Sequence, residues 1–141
     1  MDKVAIEQLP ETKDIDGAKR WDEERGEFVQ VSSREDIGHV AFFQIREGFS
    51  RGGHYHAVKE EAFYIVKGKI RAIFLDMESR AQEEHILTKG QKIRIRPNCA
   101  HIFQGLEESL VIEYSPQYYD KEDAYPIDLG AVSPGQGLNP G

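Results

Sequence analysis

Between residues 28 and 115 the chain is a series of short β-forming runs cut by turn residues, and few architectures accept that rhythm. The runs fall at 28–31, 39–46, 54–57, 62–67, 69–75, 84–88, 91–96, 101–104 and 109–115. They are rich in Val, Ile, Phe and Tyr, which suit a pleated, half-buried backbone. Between them lie Gly68, Asp76–Ala81, Lys89-Gly90, Pro97-Asn98 and Gly105–Glu108, whose residue types favour turns. Turns recur every 6–12 residues and no segment sustains a helical period. The expectation is an all-β chain folded as one antiparallel β-barrel or jelly roll.

A length of 141 residues suits one domain, and 39% hydrophobic residues suffice for a core. Residues 1–24 are read as an N-terminal arm, irregular over 1–12, with 25–116 as the barrel and 117–141 as a tail. In that tail Tyr118, Tyr119 and Tyr125 offer anchors for a second subunit, so a homodimer is expected. The end, AVSPGQGLNPG, reads as a flexible segment or one held by a neighbour.

A net charge of −7 argues against nucleic acid or an anionic membrane as the main partner, but leaves room for a small anionic ligand at a local basic cluster. No apolar run reaches transmembrane length, and the N-terminus carries no apolar signal region. The single cysteine, Cys99, excludes an intrachain disulfide and fits a reducing, cytoplasmic setting. It is expected to pack.

The chemistry concentrates in residues 48–68, GFSRGGHYHAVKEEAFYIVKG. Side chains at i and i+2 of a strand share a face, so His54 and His56 are expected to aim into one space. On the next strand Glu61 shares a face with Phe63 and Ile65 and would join them at one end of an apolar interior. Two imidazoles and a carboxylate suit a divalent first-row metal. Glu60 is the competing carboxylate. It falls on the face opposite Phe63 and reads as a solvated rim charge.

Written as a pattern, Gly48-x5-His54-x-His56-x4-Glu61-x6-Gly68 resembles the first signature of the cupin superfamily, whose barrel is a double-stranded β-helix. A second stretch, Gly90-x5-Arg96-Pro97-Asn98-x2-His101, resembles the second signature, with Arg, Asn and Gly105 replacing its Pro, Gly and Asn. The resemblance implies a metal set of His54, His56, Glu61 and His101, the ion being Zn, Mn, Fe or Ni. The flanks are narrower. Arg51-Gly-Gly-His-Tyr-His-x2-Lys59-x-Glu61-x-Phe63 resembles the C-terminal cupin of bifunctional capsular-polysaccharide enzymes, a metal-dependent epimerase of a UDP-linked 4-keto sugar. The Arg-Gly turn and strand of residues 25–46 resemble the dTDP-4-keto-6-deoxyhexose 3,4-ketoisomerases.

These resemblances imply an epimerase or ketoisomerase acting on a nucleotide-linked keto sugar in polysaccharide biosynthesis. A C4 ketone acidifies the adjacent C–H, so the reaction needs a base, an acid and a stabilised enolate oxygen. His54 or His56 is the candidate base where no metal is held. Lys59 and Tyr64 complete the catalytic candidates, and Arg51, Tyr55, Arg96 and Tyr114 are candidate substrate-binding residues. For each tyrosine the competing expectation is ordinary strand packing, and for Arg51 and Lys59 it is a solvated edge charge. The same ligand set would also serve an iron-dependent dioxygenase or a cupin that binds a small molecule without turnover.

Overall fold

In the computed structural model, which describes residues 1–118 and 120–130, the expected rhythm of strands becomes two five-stranded sheets and a hairpin. The strands are β1 (Val4–Gln8), β2 (Lys19–Glu23), β3 (Gly26–Gln30), β4 (His39–Ile45), β5 (Ser50–Tyr55), β6 (Glu61–Lys67), β7 (Lys69–Asp76), β8 (Gln82–Thr88), β9 (Gln91–Ile95), β10 (Cys99–Gly105), β11 (Ser109–Ser115) and β12 (Tyr125–Pro126). One sheet runs β1-β9-β6-β11-β4 and the other β12-β5-β10-β7-β8, while β2 and β3 form the separate hairpin. All named strand pairs are antiparallel. No helix among the described residues is long and apolar enough to cross a membrane.

Alternation places one apolar face of each sheet inside. Phe63, Ile65, Ile70, Ala72, Phe74, Leu87, Ile93, Ile95, Phe103 and Val111 form one buried cluster between the sheets. Burial of that apolar surface is the main stabilising term, at about 25 cal/mol per Å² removed from water. The turns are built from the residues the sequence offered. Asn98 adopts φ 62° after Pro97, as an Asn-tolerant left-handed turn requires. Gly68 sits at φ 101° against Ser109, where a Cβ would come within 2.6 Å of the Ser109 Cα.

The N-terminus departs from expectation. Residues 4–8 are not irregular: they pair with β9 over the whole register from Val4–Ile95 to Gln8–Gln91, and Val4 and Ile6 pack on the core cluster. The pairing is with a strand some 85 residues away, so no local signal announces it. Trp21 and Phe28 stack across the β2–β3 hairpin at 4.4 Å between centroids, joined through the Arg25-Gly26 turn. Beyond β11 the chain crosses back through a single 3-10 turn, Lys121–Asp123, and β12 adds to the edge of β5. Tyr118 is 79% exposed and Tyr125 stacks on Tyr55. Tyr119 and the segment 131–141 lie outside the described residues.

Candidate active site

The inner faces of β5, β6 and β10 meet at one end of the apolar interior, and there the ionisable side chains collect. His54 is the penultimate residue of β5 and pairs with His101 of β10. Their ring centroids lie 5.0 Å apart, and those of His54 and His56 lie 4.7 Å apart. Glu61 opens β6 and is 2% exposed. Its Oε1 lies 3.1 Å from His56 Nε2 and 3.4 Å from His101 Nε2, and its Oε2 lies 3.5 Å from Lys59 Nζ. Ligand atoms of His54, Glu61 and His101 all fall within 4.8 Å of one another.

The expected strand over 54–57 ends earlier than the alternation argument requires. β5 stops at Tyr55, so His56 lies one residue past it. It reaches the site because its Nδ1–H donates to the main-chain carbonyl of Asp123 at 2.5 Å. That bond fixes the tautomer and turns Nε2 toward Glu61. The Asp123 carboxylate also accepts the main-chain N–H groups of Ala57, Val58 and Lys59 at 2.8–3.3 Å. Gly52, at φ 97°, lets β5 approach β10 where the register shifts, and a Cβ there would stand 2.7 Å from the His101 carbonyl oxygen.

Electrostatics divide the groups by partner. Burial, reinforced by His101 and His56, pushes the His54 imidazole down to about 3, so it is neutral. His101 is likewise held below the usual imidazole range, chiefly by burial. Burial alone would favour a neutral Glu61, but His56, His101 and Lys59 outweigh it and hold its carboxyl at about 2. In the same way Glu61 overcomes the burial of His56 and raises its affinity for a proton. Among the described residues the buried His54 Nε2 has no hydrogen-bond partner, and the buried His56 Nε2 and Glu61 Oε1 face one another at 3.1 Å. Leaving such a group unmatched in an apolar interior is costly, so the cluster is made to receive something.

The remaining candidates divide. Lys59, 6% exposed, belongs to the site. Arg51 lines the adjoining cleft beside Gly52 and His54, with its guanidinium over the Phe43 ring at 5.3 Å and its Nε donating to the Gln44 carbonyl at 2.8 Å. Glu60 points away and pairs with Arg94 at 3.2 Å. Four residues are not brought to the site. Tyr64 lies on the opposite face of β6 from Glu61, buried near Arg20 and Glu27. Tyr114 also faces out of the barrel, donating to Glu35 at 2.7 Å beneath Lys92. Tyr55 is taken up by Tyr125 at 5.1 Å. Arg96 is exposed past the end of β9, where its N–H meets the Lys3 carbonyl. Strand phase sends the three tyrosine side chains elsewhere, and Arg96 lies beyond its strand. Cys99 packs as expected: burial pushes its thiol up to about 11.

Sequence reasoning missed Glu113 and His39. Glu113 faces inward from β11 and lines the cleft with Phe43, Arg51, His54, Phe63, His101 and Phe103. His39 Nε2 lies 3.7 Å from its Oε1. The signal available was a lone carboxylate in the apolar run Leu-Val-Ile-Glu-Tyr.

Residues 21–124 match the family described as the polysaccharide biosynthesis C-terminal domain. A curated relative, UDP-2-acetamido-2,6-beta-L-arabino-hexul-4-ose reductase of Pseudomonas aeruginosa, is 34% identical over 113 residues, covering 75% of this chain. The chain spans only 30% of that relative's length. Solved structures with the same cupin fold include a dTDP-6-deoxy-D-glucose-3,5-epimerase from Legionella pneumophila, at TM-score 0.74 and 17% identity over 96% of this chain and 89% of that one. A 3,4-ketoisomerase from Thermoanaerobacterium thermosaccharolyticum in complex with TDP-4-keto-6-deoxyglucose matches at TM-score 0.71 and 14% identity, covering 88% and 87% of the two chains.

Proposed function

Because this chain belongs to the polysaccharide biosynthesis C-terminal domain family, we propose that it is an epimerase or ketoisomerase of a nucleotide-linked 4-keto sugar. One observation carries the reading. Neutral imidazole, ionised carboxylate and Lys59 converge within a few ångströms at the end of an apolar barrel, with the buried His54 Nε2 unmatched. Removal of a proton beside a ketone needs a base to take it and fixed charge to steady the enolate, and where no metal is held the neutral His54 supplies the base. The nucleotide-sugar names carried by the curated relative and the solved structures support the substrate class.

The donor set also fits a divalent first-row cation, and we propose that His54, Glu61 and His101 hold one, with His56 adjoining. Such an ion supplies a Lewis acid for a carbonyl oxygen. The chain's own part is to keep two imidazoles neutral, to orient His56 through Asp123 and to exclude water from the acidic carbon.

The test is proton exchange. TDP-4-keto-6-deoxyglucose and its UDP counterpart, incubated with the protein in D2O, should gain deuterium beside the ketone and yield a new isomer, read by proton NMR. Tight binding without exchange would make the chain a binding cupin, and oxygen uptake on substrate addition would make it a dioxygenase.

A further inference from the structure

The ionisable cluster is walled in. His54, His56, Glu61 and His101 are each no more than 5% exposed. The cleft beside His54 and His101 measures about 10 Å³, room for a single water. A sugar, or a hydrated cation, reaches these side chains only when a wall moves. The walls are held with very different firmness. β10 is paired with β7 from Cys99 to Gly105, and β4 with β11 from His39 to Ile45. β12 is paired with β5 at Tyr125–Tyr55 and Pro126–His54 alone. Pro126 has no N–H to donate, and the next residue, Ile127, donates to the Gly53 carbonyl at 2.9 Å.

Packing beside β12 is also incomplete. A hollow of about 310 Å³ is lined by Gly52, Gly53 and His54 on one side and by Ala124, Pro126 and Asp128 on the other. The two glycines bring no side chain to fill it. A short strand with few bonds along an unfilled space is the segment that opens at least cost. It is tied at both ends. Leu129 packs on Ile73 and Ile102. Asp123, two residues before Tyr125, accepts the main-chain N–H groups of Ala57, Val58 and Lys59 and the Nδ1–H of His56. Movement of β12 therefore pulls on the residue that orients His56.

We propose that residues 124–128 are the gate of the active site. β12 peels from β5 and admits a ligand by way of the hollow beside His54. Its return re-seats Asp123, and Asp123 in turn sets His56 Nε2 against Glu61 Oε1, 3.1 Å away. Entry and the orientation of His56 thus belong to one movement, and closure shuts water out. The gate is a property of the fold and stands apart from the keto-sugar reading.

The experiment pins the gate shut. Tyr55 and Tyr125 are register partners, and antiparallel partners lie about 5 Å apart between Cα atoms, within disulfide reach. Tyr55→Cys/Tyr125→Cys is prepared reduced and oxidised, the one native thiol, Cys99, being buried. Diethyl pyrocarbonate in a buffer containing EDTA is the probe. Peptide mass spectrometry follows modification of His54, His56 and His101, with the half-buried His85 as control. The three site histidines should react on the order of 10-fold more slowly in the oxidised form and recover on reduction, while His85 is unchanged. Equal rates for the site histidines in the two forms would overturn the gate. Hydrogen exchange on wild type is the second measurement and decides the matter should the double variant not fold. The N–H groups of Ala57, Val58, Lys59 and Ile127 should exchange as one unit, on the order of 100-fold faster than the paired N–H groups of β10 and β7. Exchange of these four as slow as that of β10, or Ile127 exchanging independently of 57–59, would equally overturn it. Neither measurement involves a sugar, so its result is separate from that of the proton-exchange test.

Discussion

The main-chain carbonyl of Asp123 accepts the Nδ1–H of His56 at 2.5 Å, across 67 residues of sequence. The same residue's carboxylate takes three consecutive main-chain N–H groups, from Ala57 to Lys59. The loop between β5 and β6 is therefore shaped by a residue that follows the barrel. Asp123→Ala should leave those donors without their acceptor and lower stability by about 1–3 kcal/mol. It should also weaken divalent-cation binding by about 10–100-fold, as outer-shell changes do. Thermal melts with and without a chelator, together with a metal titration, check both effects.

The metal proposal predicts an order among carboxylates. Glu61→Gln should abolish stoichiometric binding of Zn, Mn, Fe or Ni, whereas Glu60→Gln should change it little, because Glu60 pairs with Arg94 outside the site. His56→Ala should likewise remove bound metal and leave the β circular-dichroism spectrum intact. Elemental analysis of purified variants reads the outcome. Wild type without metal, and a chelator that alters neither melting nor activity, would remove the ion from the account.

Glu35 sets a pH limit. It ties the loop after β3 to the sheet through Lys92 at 3.0 Å, Arg94 at 2.6 Å and Tyr114 at 2.7 Å. Burial would raise its affinity for a proton, but Ser32, Tyr114, Arg94 and Lys92 outweigh that and hold it at about 2, well below the ordinary glutamate value of 4.5. A carboxyl depressed on folding contributes stability that is present above its unfolded value and lost as pH falls toward the folded one. Between pH 4.5 and 2 wild type should therefore lose stability that Glu35→Gln, already destabilised at pH 7, does not lose. Chemical denaturation at several pH values tests the difference.

Gly68→Ala should be among the most damaging single substitutions in the fold. Its φ of 101° is strained for any L side chain, and the added Cβ would stand 2.6 Å from the Ser109 Cα. A loss of about 2–4 kcal/mol is expected from strain and overlap together. A denaturant midpoint within error of wild type would contradict it.

We propose a homodimer, with the outer face of β4 as the surface that a second copy covers. Val40 and Phe42 there are 67% and 72% exposed, and β4 is a sheet edge. Light scattering at micromolar concentration should give twice the chain mass for wild type, and a monomer for Phe42→Glu with its melting curve otherwise retained.

The period-2 runs and the Gly, Asn and Pro breaks were enough, read alone, to make the chain an antiparallel all-β barrel, because turn chemistry and strand patterning are local. The grouping of His54, Glu61 and His101 was legible through the offsets of the two motifs that this sequence resembles. Which tyrosine or carboxylate faces the substrate was not legible. Alternation gives every second residue a common face but not which face that is, and on β11 the phase follows from pairing with β4 and β6 and from the register shift between Leu110 and Val111. Glu113 consequently points in and Tyr114 points out. The strand at Val4–Gln8 and the hold of Asp123 on His56 depend on partners more than 60 residues distant. Such pairings are decided by the closing of the barrel, where hydrogen-bond partners and buried area are allotted among all strands at once.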